Sequence, residues 1–171
     1  MRRMRSRALA WGVLGGLLAG TFDILYATSF WALRDVPAQR IFQSVAAGAL
    51  GRAAFTGGWP TAMLGLSLHY VIAAAMGLAY ALAARDIPAL RDRPWRHGAL
   101  YGLALYVFMN FIVVPLSASP PRSGSLPLSW TVCSVIAHVV LVGWPCAWFA
   151  RRGWDGRWSR SPPLPAFVAG T

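Results

Sequence analysis

Four stretches of this chain run through apolar residues almost without interruption, and polar segments rich in arginine separate them. They cover residues 8–33, 59–84, 98–118 and 128–150. A hydrocarbon core about 30 Å thick needs about 20 apolar residues in a helix. Strands of a membrane barrel would alternate apolar and polar positions instead. The pattern therefore predicts an all-α fold, a polytopic membrane four-helix bundle. The first run follows MRRMRSR, which resembles the basic start of a signal peptide. Its apolar part continues to Leu33, too far for a cleaved leader, so it reads as a retained first span.

The connections differ in character. Between the first two spans, Asp35-Val36-Pro37 reads as a helix start, and Gly57-Gly58 as an end. Ile41, Phe42, Val45, Ala49, Leu50 and Ala53 recur at helical spacing, with Arg40, Gln43, Ser44 and Arg52 largely between them. This predicts a short amphipathic helix lying in the interface, either a lid on the bundle or a gate over a cavity. The third connection, SPPRSGSLP, is short and turn-rich. Residues 1–152 form one transmembrane domain in this reading. Residues 153–171, which include Pro162, Pro163 and Pro165, are expected to be a poorly ordered cytoplasmic tail.

Each span carries one strongly polar residue in its interior: Asp23, His69, Asn110 and His138. Counted from the span midpoints at 1.5 Å per residue, all four fall about 1.5 to 4 Å to the same side of the midplane. The helical faces point them inward. Gly12, Gly16 and Gly20 form a stripe that Asp23 continues, and Gly65, His69, Ala73, Gly77 and Ala81 stand four apart. Gly102, Tyr106 and Asn110 share a face of the third span, and Thr131, Ser134 and His138 share one of the fourth. Small residues mark faces where membrane helices touch, because backbones approach closely there.

Three roles for this polar layer remain open from sequence. The four residues can be interhelical glue, worth about 0.6 kcal/mol per bond. They can form a titratable site for proton or ion movement, since ionisable groups in lipid are costly and mark pathways. Two imidazoles and a carboxylate can also hold a first-row metal, or His69 and His138 a haem. No cofactor is favoured: there is no i, i+4 His pair, and His97 lies in a connection. No catalytic residue stands out. Ser29, Ser67, Ser117 and Ser134 lack a nucleophile-elbow motif, and no glycine-rich phosphate loop is present.

Composition removes the soluble alternative. With 57% hydrophobic and 12% charged residues, the chain cannot clothe a water-facing surface. The charges are all Arg and Asp, giving +11 net. Such a charge could suit nucleic acid, but these arginines lie in the connections rather than along one face, so no nucleic-acid partner is expected. Twelve of the arginines fall in the two termini and the second connection, and four in the first and third. The excess predicts cytoplasmic N- and C-termini. Trp11, Trp31, Trp59, Trp95, Trp130 and Trp148 sit near span ends, while Trp144 lies deeper. Cys133 and Cys146 are about 20 Å apart along one helix, too far to bridge.

From His69 to Arg152 the chain resembles a family of small bacterial inner-membrane proteins, the YagU-like family of unknown molecular function. The matching stretches are HYVIAAAMGLAYALAA, WRHGALYGLALYVFMNFIVVPLSASPP, and His138 followed by Arg151-Arg152. The resemblance implies a multi-span inner-membrane protein and no reaction. Within the chain, the first two spans echo the last two. Each pair brings a polar residue in on one helix (Asp23, Asn110) and a histidine on the next (His69, His138). The expected function is non-enzymatic: assistance to transport, or proton or ion handling. The alternatives are an accessory subunit of another membrane protein and a haem or metal redox protein. The bilayer is the expected partner, with a homo-oligomer or another membrane protein beside it.

Overall fold

A computed structural model describes residues 2–121 and 124–155, and every regular element among them is helical. The helices are α1 (Arg2–Ala32), α2 (Ala38–Leu50), α3 (Gly58–Asp86), α4 (Ala89–Asp92), α5 (Pro94–Leu116) and α6 (Leu128–Asp155). A 3₁₀ turn, Gly51–Phe55, follows α2. Four segments are long and apolar enough to cross a membrane: Ser6–Ala32, Gly58–Asp86, Pro94–Leu116 and Leu128–Asp155. Helix α6 runs past Arg152, where the tail was expected to begin, for physical reasons. Gly153 packs on Ala8 and Trp11, and the Trp154 indole N–H donates to the Ala81 carbonyl at 2.9 Å. Arg151 and Asp155 close the last turn as an i, i+4 pair at 3.2 Å. The rest of the expected tail, 156–171, lies outside the described residues.

Small residues set the packing. Gly12, Gly16 and Gly20 of α1 lie against Ala73, Gly77 and Ala81 of α3, so the two stripes read from sequence face each other. A Cβ at Gly16 would run into the Ala73 carbonyl, and one at Gly77 into the Gly12 carbonyl. Gly15, on another face of α1, lies against Pro145 and Phe149 of α6. The α5–α6 crossing repeats the device: Gly98 and Gly102 meet the backbone of Gly143 and His138. Gly65 departs from its expected place. It lies against Phe42 and Ala46 of α2, not against another long helix.

Helices α3 and α5 are joined differently. Tyr101 reaches across from α5, donates to the Met76 carbonyl at 2.7 Å, and sets its ring 5.0 Å from that of Tyr80. On the α2 side of Met76, no hydrogen bond or ring contact links α3 to α5 among the described residues. At that end α2 bridges them instead. It packs along α3, and its Gly48 carbonyl accepts the Ala118 N–H at 2.9 Å, just beyond α5.

The turn into α2 is tight. Val36 N–H reaches the Trp31 carbonyl and Asp35 N–H the Ala32 carbonyl, the pattern of a Schellman cap. Asp35 takes the left-handed conformation this requires, at φ 59°. Thus Asp35 closes α1 rather than opening α2, and Pro37 at the start of α2 provides no side-chain cap. The buried face of α2 is Gln43, Ala46 and Ala47, while Ala49 and Leu50 are exposed. Gln43, read as an outward polar position, is buried because its amide has work to do. Its Nε2 donates to the Gly58 carbonyl at 3.0 Å and to Thr61 Oγ1 at 3.4 Å. Gln43→Ala is expected to lower stability by about 1 to 2 kcal/mol, the effect of leaving a buried partner unpaired. Chemical or thermal unfolding in detergent measures it.

Two of the long helices contain a π-helical turn, Met109–Val113 in α5 and His138–Gly143 in α6. Each ends two residues before a proline, Pro115 and Pro145. A proline ring collides with the carbonyl four residues back and supplies no N–H. Widening the preceding turn relieves that collision while keeping the backbone hydrogen-bonded. The Val114 N–H bonds the Met109 carbonyl and the Trp144 N–H the Val139 carbonyl, both five residues back.

Candidate functional site

The polar positions occupy one level. Measured from the middle of each of the four apolar segments at 1.5 Å per residue, Asp23, His69, Asn110 and His138 lie about 4 to 8 Å toward the α2 end. Three of the four line a single cavity of about 200 Å³. Helix α1 contributes Gly20 and Asp23, and α2 contributes Val45. Helix α3 supplies His69, Ile72, Ala73 and Met76. Met109 of α5 and His138 and Val142 of α6 complete the wall. Among the described residues, the cavity therefore sits between the α2 bridge at one end of α3 and α5 and the Tyr101–Met76 bond at the other.

The polar side chains are held in different ways. His69 Nε2 lies 2.8 Å from the Gly20 carbonyl, across the close α1–α3 contact. A carbonyl oxygen only accepts, so the neutral ring carries its proton on Nε2 and keeps a lone pair on Nδ1. His138 Nδ1 lies 2.9 Å from the Ser134 carbonyl on its own helix, which assigns the opposite tautomer and leaves a lone pair on Nε2. The Tyr106 ring stands edge-on to this imidazole with centroids 5.3 Å apart. The Asp23 carboxylate, half-buried, makes no hydrogen bond or ion pair with any described residue.

Asn110 does not join the cavity. Its Nδ2 donates to the Tyr106 carbonyl at 3.0 Å, four residues back on α5, and Met109 lines the wall in its place. A π turn begins at Met109, next to Asn110. The extra residue is spread over the turn, so Asn110, at its start, departs only in part from a plain α-helical position.

Among the described residues, no three His, Cys, Asp or Glu side chains gather into a metal-binding group. Cys133 and Cys146 are both free thiols, and Cys146 is fully buried in a cluster with Tyr80, Leu105 and several alanines.

Many of the hydrogen bonds that join helices come from tyrosine and tryptophan side chains outside the four polar positions. Tyr70 pairs with Thr21 at 3.2 Å and Tyr26 with Ser134 at 3.4 Å. Tyr101 and Trp154 reach backbone carbonyls on α3, as described above. At the α2 end, Tyr26, Phe30, Trp31 and Trp130 form one ring cluster, with the Arg34 guanidinium 4.1 Å over Phe30. The signal was available: a tyrosine or tryptophan inside an apolar run carries a polar tip that needs a partner.

No family model matches the chain, and no curated protein or solved structure matches it either.

Proposed function

We propose that this chain is a non-enzymatic, multi-pass protein of a bacterial cytoplasmic membrane, and that it assists transport by handling a proton or small cation in its polar cavity. Four helices of sufficient length and apolarity support the membrane placement. The arginine excess at the termini and in the second connection supports cytoplasmic termini. The stretch resembling the YagU-like family, His69 to Arg152, fits the same placement.

The observation that carries the functional reading is the unpartnered Asp23 carboxylate in a cavity shared with two imidazoles. A carboxylate kept as glue would be hydrogen-bonded, because an ionisable group at membrane depth is expensive when left alone. Of the four polar residues, only His69 bonds across helices. Asn110 and His138 bond within their own helices, and Asp23 bonds to no described residue. Glue thus accounts for one of the four.

Contact with a second copy or another membrane protein, the accessory-subunit alternative, falls in this reading to α5. The α1 glycine stripe is already occupied by α3, whereas Leu100 and Phe111 of α5 are 63% and 69% exposed.

The test is reconstitution into liposomes, with a trapped pH dye and a potential-sensitive dye. The wild-type chain is expected to move protons or charge faster than empty vesicles, and Asp23→Asn to cut that movement at least tenfold. Movement no faster than in empty vesicles, or unchanged in the variant, overturns the proposal.

A further inference from the structure

We infer that the cavity receives a small primary ammonium ion carrying a compact apolar group. This rests on the reading of the cavity as a cation site and names the ligand class. The polar groups of the wall are all acceptors. Asp23 offers a carboxylate without a partner, and the Gly20 and Ser134 carbonyls have taken the single N–H of His69 and His138 respectively. Each imidazole therefore keeps one lone pair, on Nδ1 of His69 and Nε2 of His138. Val45, Ile72, Met76, Met109 and Val142 add no donor.

A site built of acceptors selects a ligand built of donors. An anion finds a negative charge and no N–H to bind. An alkali ion asks for several oxygen ligands, and this wall offers one carboxylate among methyl and thioether groups. A primary ammonium ion brings one positive charge for the carboxylate and N–H donors for the acceptors on the same wall.

Size and lining give the rest of the ligand. A dry apolar cavity of about 150 Å³ accepts benzene, so about 200 Å³ has room for an ammonium head and one ring or a short alkyl chain. Met76 and Met109 suit a variable apolar tail, since their unbranched thioether chains adapt to shape. The way in is sideways. Between the Tyr101–Met76 bond and the α2 bridge, no hydrogen bond or ring contact closes α3 against α5 among the described residues.

Isothermal titration of the purified full chain in detergent, at near-neutral pH, tests this with three probes of similar shape. Benzylamine is expected to bind saturably. Benzyl alcohol, without the charge, and benzyltrimethylammonium, without N–H donors, are each expected to bind at least tenfold more weakly. Asp23→Asn is expected to weaken benzylamine at least tenfold, and the wild-type probe series decides the matter if that variant does not fold. Equal binding of the three probes, or no binding of benzylamine, overturns the inference. Asp23-dependent proton movement without benzylamine binding removes this ligand class and leaves the proposed function standing. Benzylamine binding without any proton or charge movement does the reverse.

Discussion

Gly77→Leu is expected to be the most damaging single substitution on the α1–α3 contact, with loss of most folded protein from a detergent extract. A Cβ at position 77 would meet the Gly12 carbonyl, and would lie 2.5 Å from the Gly16 nitrogen and 2.7 Å from its Cα. All three are backbone atoms, so no side chain can swing aside. The two helices must separate or turn. Overpacking a core typically costs about 1 to 3 kcal/mol, and a rigid backbone partner places this case at the upper end or beyond. Membrane helices depend on such closeness, because lipid offers them no hydrophobic drive toward each other. Separation would also break the His69–Gly20 bond at 2.8 Å and open the cavity wall. Gly48→Ala is the contrasting substitution. Its added methyl would sit 3.8 Å from the Ser117 Cβ, an ordinary contact, within helix α2. Removing a helix-interior glycine is favourable by up to about 1 kcal/mol, so its unfolding midpoint is expected to stay or rise. Thermal unfolding followed by tryptophan fluorescence separates the two. A Gly77→Leu protein that melts like wild type would mean that α1 and α3 do not cross there.

The parts of this fold that follow one-dimensional rules are readable from the chain alone. Length and hydropathy mark four long helices, because the thickness of a bilayer fixes how many apolar residues each needs. Spacing by four marks Gly12, Gly16 and Gly20 on one helix and Ala73, Gly77 and Ala81 on another as contact faces, because only small residues let two backbones touch, while their meeting each other is visible only in the fold. What is not readable depends on three-dimensional context. Gln43 looks like a surface residue until the chain returns at Gly58 and Thr61 and supplies its partners. Gly65 continues a stripe in sequence, yet α2 folds back over that stretch and takes the contact. Asn110 shares a plain helical face with Gly102 and Tyr106, but its amide bonds back to the Tyr106 carbonyl, and a π turn ahead of Pro115 starts beside it. The prolines carried that signal: inside an apolar run, each one forces a change in the turn before it. Composition also understated the tyrosines, whose hydroxyls make three of the side-chain bonds between helices described here.

Asp23→Asn is expected to raise thermal stability while it removes the proposed cation handling, and the opposite sign is what a purely structural role would produce. A carboxylate placed at the centre of a membrane helix costs about 2.5 to 3.5 kcal/mol on insertion scales. Nothing among the described residues offsets that cost through a hydrogen bond or an ion pair at Asp23. The residue is half-buried and faces a cavity, so part of the penalty is already relieved. A gain of about 1 to 2 kcal/mol is the expected remainder. His69→Leu supplies the reference of known sign. It deletes the bond to the Gly20 carbonyl at 2.8 Å across the α1–α3 contact. Its expected effect is a loss of about 1 kcal/mol, the usual worth of such a bond. A destabilising carboxylate kept at a proposed binding site is the familiar trade between stability and activity, and the two variants should therefore move the unfolding midpoint in opposite directions. If both lower it by similar amounts, Asp23 is holding helices together as His69 does. The cavity would then be a packing gap with polar walls, and neither proton nor ammonium would have reason to enter it.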